Sequence, residues 1–239
     1  VCVAPAQMET VTKREFAPAR KTMVLFNGVV KPPGGGQDAQ EFRGELGLEA
    51  GTLVIACIGR LHPVKNHLRF LEAFALARGR MPAAVLALVG DGPLRPETEK
   101  KVADLGLTGS VRMLGLRKDV GRILAAADIY ALPSLNEGHS ISLLEACSHG
   151  KAVLASRRGG NPDIVVDGLS GLLTDPEDVP ALAESLVRLA ADAGLRQRLG
   201  KDAEARFLDR FSMDTCAKQY EAVYREASAS RSRRFRRLP

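Results

Sequence analysis

The sequence predicts an α/β fold, a single doubly wound parallel sheet followed by C-terminal helices. Two observations carry that expectation. Short apolar runs alternate with stretches of helical periodicity to about residue 193, as strands and their crossover helices do in a parallel sheet with helices on both faces. The chain has 239 residues, which suits one large domain with tails better than two full domains.

A variable start and a Pro/Gly stretch at 31–36 precede the first element. Strands are expected at 53–59, 84–90, 111–115, 128–132, 152–156 and 171–174. Helices are expected at 66–78, 93–105, 119–127, 140–149 and 178–193, each with apolar residues at helical spacing, as in Leu68, Leu71, Phe74 and Ala75. Two further helices, 195–211 and 213–227, follow the last strand and carry Phe207, Phe211, Tyr220 and Tyr224. Before Pro32 there is one short apolar run, 23–26, too little for a second sheet, and the first residue is not Met. The expectation is therefore a fragment, or an isolated domain whose partner domain lies outside this sequence.

With 45% hydrophobic and 26% charged residues the chain can bury a sizeable core and is neither disordered nor fibrous. Its apolar runs fall far short of the ~20 residues that cross a bilayer. Residues 1–6 are too short for a signal peptide and lack a basic flank, so a cytoplasmic location is expected. Cys2, Cys57, Cys147 and Cys216 are scattered without zinc-like spacing and read as reduced thiols. The net charge of +6 is concentrated partly in Arg231, Arg233, Arg234, Arg236 and Arg237. The segment 228–239 reads as a disordered basic tail that could approach an anionic membrane surface; nucleic acid is not the expected partner. No dinucleotide fingerprint or P-loop is present, and Gly34-Gly35-Gly36 reads as a linker.

In an open parallel sheet ligands bind beyond the carboxyl ends of the strands. Three loops there hold glycine beside charge: Gly59-Arg60-Leu61 leading to Lys65, Gly90-Asp91-Gly92-Pro93, and Asn136-Glu137-Gly138 opening a helix at Ser140. Arg60 follows a strand and Lys65 precedes a helix, so both cations can reach one anion, a diphosphate clamp. At Glu137-Gly138-His139-Ser140-Ile141-Ser142 the chain passes from loop to helix, where free N–H groups attract an anion. Glu145 stands ~7 Å further along that helix than Ser140, a distance compatible with a ribose. The competing readings are solvated surface charge for Arg60 and Lys65, a turn carboxylate for Glu137, and a capping box from Ser142 to Glu145.

The order Gly59-Arg60-Leu61, Lys65-Asn66, Gly90-Asp91-Gly92-Pro93, Pro133-Ser134, Glu137-Gly138, Glu145 and Gly159-Gly160 resembles the C-terminal, donor-binding domain of family 4 retaining glycosyltransferases. The Glu-x7-Glu spacing from Glu137 to Glu145 is its most telling element. Asn27-Gly28-Val29 resembles the family's approach to this domain, and 211–225 its closing helix. The resemblance, from about Val24 to Glu226, implies a Rossmann-like half of a GT-B fold. It implies that Arg60 and Lys65 hold the donor diphosphate, Glu145 the ribose and Glu137 the transferred sugar. It further implies backbone contacts from Gly138, His139, Ser140 and Ile141 to sugar and phosphate, with Gly59 beside the clamp and backbone around Leu116 and Arg117 framing the base. Val30, His139-Ser140 and Asp163 depart from the family's usual Asp, Phe-Gly and Glu, which leaves sugar identity open.

The implied division is a linker or N-terminal-domain remnant at 1–31, a nucleotide-sugar-binding domain at 32–210, a closing helix at 211–227 and a tail at 228–239. The implied reaction moves a hexose with retention from a nucleotide-diphosphate sugar to a glycan or lipid-linked acceptor, in polysaccharide or envelope glycan synthesis, without a metal or other cofactor. A missing N-terminal domain would bind the acceptor, and the chain alone would be inactive. The other readings are a non-catalytic nucleotide-sugar-binding module, a GT-B-fold epimerase and a glycogen-type phosphorylase.

Overall fold

The computed structural model describes residues 1–239 apart from 14–17, 19–21 and 236–239. Its centre is a parallel sheet of β1 (Leu53–Ile58), β2 (Ala84–Val89), β3 (Val111–Met113), β4 (Ile129–Leu132), β5 (Ala152–Ser156) and β6 (Leu172–Thr174), in the order β3-β2-β1-β4-β5-β6. Each strand lies within two residues of its expected run. The overshoots at Gly90 and Gly115 have a backbone cause: both take positive φ, +135° and +65°, and turn the chain out of the ladder.

Every residue of β2, β4 and β5 is buried, as a sheet covered on both faces requires. Alternation along β1 sorts the two layers. Ile55 and Cys57 face Phe70, Leu71 and Phe74 of α3 (His67–Ala77) and Leu182, Leu186 and Leu189 of α8 (Val179–Ala191). Val54 and Ala56 face the other layer: α2 (Gly36–Glu45), α5 (Val120–Ala126), α6 (Ile141–Ser148) and α9 (Ala193–Arg210), which supply Phe42, Ile123, Leu143 and Phe207. The remaining helices are α1 (Pro5–Lys13), α4 (Arg95–Asp104), the short α7 (Asn161–Ile164) and α10 (Met213–Phe235).

The structure differs from the sequence reading at the chain ends. Gly34–Gly36 is not a free linker. Gly36 begins α2, Asp38 accepts the Gly35 N–H at 2.8 Å, and a methyl on Gly34 would stand 2.2 Å from the Gly121 carbonyl oxygen. Described residues before Pro32 also belong to the fold. Val29 is buried, its N–H donates to Phe211 O at 3.1 Å, and it accepts from Met213 N–H at 3.0 Å, so the strands of chain entering and leaving the domain lie side by side. Cys2 and Val24 form a parallel bridge. The tail expected to be disordered continues α10 to Phe235; Arg236 and Arg237 lie outside the described residues.

Three aromatic rings stitch these crossings to the sheet: Phe26 stacks on His139 at 5.1 Å, and Phe211 meets both. His139 is buried with neither ring nitrogen hydrogen-bonded, and burial pulls its pKa down to about 4; burial does the same to His67.

Two predictions follow from packing. A methyl on Gly121 would fall 1.8 Å from the Pro33 carbonyl oxygen, so Gly121→Ala should lower the free energy of urea unfolding by about 2–3 kcal/mol; an unchanged midpoint would show that α2 and α5 separate freely. The buried histidines have folded pKa values below their unfolded 6.5, so the unfolded chain binds more protons between about 4 and 6.5. Stability is fully present above that window and is lost as pH falls through it. His139→Phe keeps the ring and removes one proton site, so its unfolding free energy should fall less steeply across that window than the wild type's, which urea titrations at several pH values would measure.

Candidate active site

The strand order reverses at β1. The chain leaves β1 for β2 on one side, while β4 pairs with β1 on the other, Ile55 against Ile129 and Ala56 against Tyr130. Loops after β1 and β4 therefore diverge and leave a crevice at their carboxyl ends. Arg60 and Lys65 follow β1; Glu137, His139 and Ser140 follow β4.

Asn66 holds the two loops together, a role the sequence reading did not assign. It adopts the left-handed conformation at φ +60°, is buried, and its Nδ2 donates to Pro133 O at 3.1 Å and Pro176 O at 2.7 Å. An asparagine between a 3-10 turn and a helix was the available signal, since Asn tolerates that conformation better than most residues. Leu135 N–H adds a bond to Val64 O at 2.8 Å. Lys65 then lies across Gly59, and its Nζ reaches Glu137 Oε1 at 2.6 Å. The side chains of this ion pair are only 21% and 11% exposed. Arg60 is exposed and has no ion pair among the described residues.

Backbone stacks on backbone around this pair. A methyl on Gly90 would lie 2.0 Å from Gly59 O, and one on Gly160 would lie 1.7 Å from Gly138 O; Gly160 N–H also donates to Glu137 O at 3.0 Å. The Gly-Asp-Gly-Pro and Gly-Gly motifs thus keep the β1 and β4 loops at a fixed height. Beside Arg60 a cleft of ≈ 540 Å³ opens between the Gly59 and Gly90 turns and Leu116–Arg117. Leu116 is 81% exposed at its mouth. The Arg117 side chain is committed elsewhere. Its guanidinium lies over the Phe42 ring at 5.7 Å, bonds both Asp119 oxygens at 2.8 and 2.7 Å, and meets Glu45 at 2.5 Å. The Arg117 guanidinium bonded to it holds the Asp119 carboxyl down to about 2. Arg117 lines the cleft with its guanidinium tied to Asp119 and Glu45.

At α6 the cap is Ser140, whose Oγ accepts Leu143 N–H at 3.4 Å. The capping box from Ser142 to Glu145 does not form, because Ser142 is already inside the helix and its Oγ accepts from the buried Tyr130 hydroxyl at 2.7 Å. The N–H groups of Ile141 and Ser142 have no hydrogen-bond partner among the described residues, as first-turn amides lack one within a helix. Glu145 is half-buried with no ion pair among them, and burial raises its pKa. The structure thus brings Lys65, Glu137 and the α6 N-terminus together, with Glu145 one turn further in. Asn27 Nδ2 steadies the loop by donating to His139 O at 3.2 Å. Among the described residues no three His, Cys, Asp or Glu side chains are grouped to hold a metal ion, and no helix is long and apolar enough to cross a membrane.

Comparison with known proteins places this geometry. The family profile described as Glycosyl transferases group 1 matches residues 38–206. The chain is 31% identical over 205 residues to UDP-Gal:alpha-D-GlcNAc-diphosphoundecaprenol alpha-1,3-galactosyltransferase of Escherichia coli, covering 80% of this chain and 51% of that enzyme. It is 34% identical over 206 residues to D-inositol 3-phosphate glycosyltransferase of Corynebacterium glutamicum, covering 83% of this chain and 49% of that one. The chain spans about half the length of these relatives. The crystal structure of Anabaena Alr3699/HepE in complex with UDP and glucose superposes with a TM-score of 0.87 and 26% identity, over 94% of this chain and 62% of that one. The chain belongs to the group 1 glycosyltransferases, and its sheet is one Rossmann-like half of a GT-B fold.

Proposed function

We propose that this chain binds the nucleotide-diphosphate sugar for a retaining hexosyl transfer to a glycan or lipid-linked acceptor. The observation that carries the proposal is the Lys65–Glu137 pair at the strand switch point, on the loops that lead from β1 past Arg60 and from β4 into the unpartnered first-turn amides of α6. Cations and oriented amides fit a diphosphate, and carboxylates beside them fit sugar and ribose hydroxyls. The cleft beside Leu116 and Arg117 is the place for the base. UDP in the Alr3699/HepE complex and UDP-Gal in the name of the E. coli relative support a uridine nucleotide. The diphosphoundecaprenol in that name supports a lipid-linked acceptor, and we propose that a further domain, beyond the half of the relatives this chain spans, holds it. A cytoplasmic location, peripheral to the inner membrane face through the basic segment 228–239, belongs to the same proposal.

As the bond to the anomeric carbon breaks, negative charge grows on the leaving diphosphate. Arg60, Lys65 and the α6 N-terminus stand ready to stabilise it, and removing one such group costs ~3 kcal/mol of the barrier in comparable sites. These groups supply the positive charge from the chain itself, so no metal is part of the proposal.

Calorimetric titration of the chain with UDP, GDP and ADP tests this. One nucleotide should bind, Arg60→Ala should weaken it about 10- to 100-fold through loss of a charge-assisted contact, and Glu145→Gln about 3- to 10-fold. If none of the three binds, the donor-site proposal is wrong for this chain. In the full-length enzyme, proton NMR of the product should report the donor's anomeric configuration retained; inversion would remove the assignment of a retaining mechanism.

A further inference from the structure

The ion pair at the bottom of the crevice conflicts with the two roles its members would play with donor bound. Lys65 cannot give its full charge to a diphosphate while Glu137 holds it at 2.6 Å, and Glu137 cannot accept from a sugar while it accepts from Lys65. The pair is mostly shielded from solvent, so neither partner is replaced by bulk water at little cost. Both sit on loops pinned by Asn66 and by the Gly160 backbone contact, so they meet again whenever nothing intervenes.

We infer that Glu137 is a product-release residue: a donor with its sugar draws Glu137 off Lys65 onto sugar hydroxyls, and after transfer the freed Glu137 reclaims Lys65 from the nucleoside diphosphate. The inference rests on the donor-site reading above. No covalent step is involved; one hydrogen-bonded carboxylate exchanges partners. With the sugar present, Glu137 finds new donors and Lys65 is released to the phosphates. Once the sugar has gone, carboxylate and diphosphate compete for one ammonium. If Lys65 is paired nine parts in ten in the ligand-free site, the apparent affinity for a sugarless diphosphate falls about tenfold.

The test is calorimetric titration of the full 239-residue chain with whichever of UDP, GDP and ADP binds the wild type, using Glu137→Gln, Glu137→Asp, Lys65→Met and the Glu137→Gln/Lys65→Met double variant. Thermal unfolding of each variant confirms that it is folded. Glu137→Gln should bind the nucleoside diphosphate about tenfold more tightly than the wild type. Glu137→Asp keeps the charge but draws the carboxylate back by one methylene, and should also bind more tightly. In the Lys65→Met background the gain from Glu137→Gln should largely vanish. The inference fails if Glu137→Gln does not tighten binding, or if the gain persists undiminished without Lys65, since the effect is then general charge repulsion. Absence of wild-type binding to all three nucleotides would instead sink the donor-site reading itself, so the two failures are distinct.

Discussion

β1 and β4 lie side by side while their connections leave in opposite directions, and the crevice this opens is the constraint from which the site follows. A sheet wound in one direction would close each strand end with its own following helix. Here the turn after β1 and the turn after β4 face each other across a gap, with Tyr130 of β4 beneath it. That turns two loops distant in sequence into one surface, and it aims the N-terminus of α6 at whatever lies between them.

What keeps the surface in place is backbone contact more than side-chain packing. Gly90 lies against Gly59 O and Gly160 against Gly138 O at distances no Cβ could share. The left-handed Asn66 bonds loops that follow β4 and β6. Loops tied at several points have few alternative arrangements, so their amides and charges are oriented before a ligand arrives, the condition under which oriented dipoles stabilise developing charge. The Arg117 network extends this to the cleft wall, fixing the chain at Leu116 through bonds to Asp119 and Glu45.

Strand positions were legible in the sequence because strands buried on both faces are apolar along their length, and glycine marks the exits of β1, β2 and β3. That Arg60 and Lys65 follow β1, and Glu137 and Glu145 follow β4, was legible because each stands in the loop or helix beyond an apolar strand run. The mutual pairing of Lys65 and Glu137, 72 residues apart, was not, since it depends on which strands become neighbours and not on any local pattern. The competing capping-box reading at Ser142 falls for a related reason. A Ser-x-x-Glu spacing is a local capping signal, but Tyr130, reached only through the fold, takes the hydroxyl, and Ser140 caps the helix instead. The packing of 24–31 was equally hidden, because Phe26 and Val29 find their partners at His139 and Phe211.

Carboxylates beside cations in an anion site need a physical reason, and specificity offers one. A crevice holding only Arg60, Lys65 and open amides would take inorganic phosphate or pyrophosphate as readily as a nucleotide sugar. Glu137 raises the cost for every ligand that brings phosphate without hydroxyls, because such a ligand must share Lys65 and returns nothing to the carboxylate. Glu145, half-buried and without an ion pair among the described residues, works in the same direction one turn away. In the proposed donor site a ribose would offer it donors and relieve its desolvation, while a bare anion would leave it as it was. Discrimination is a difference of affinities, and under the proposed donor reading the two acidic groups would enlarge that difference by penalising incomplete ligands while the cations bind the part that all of them share.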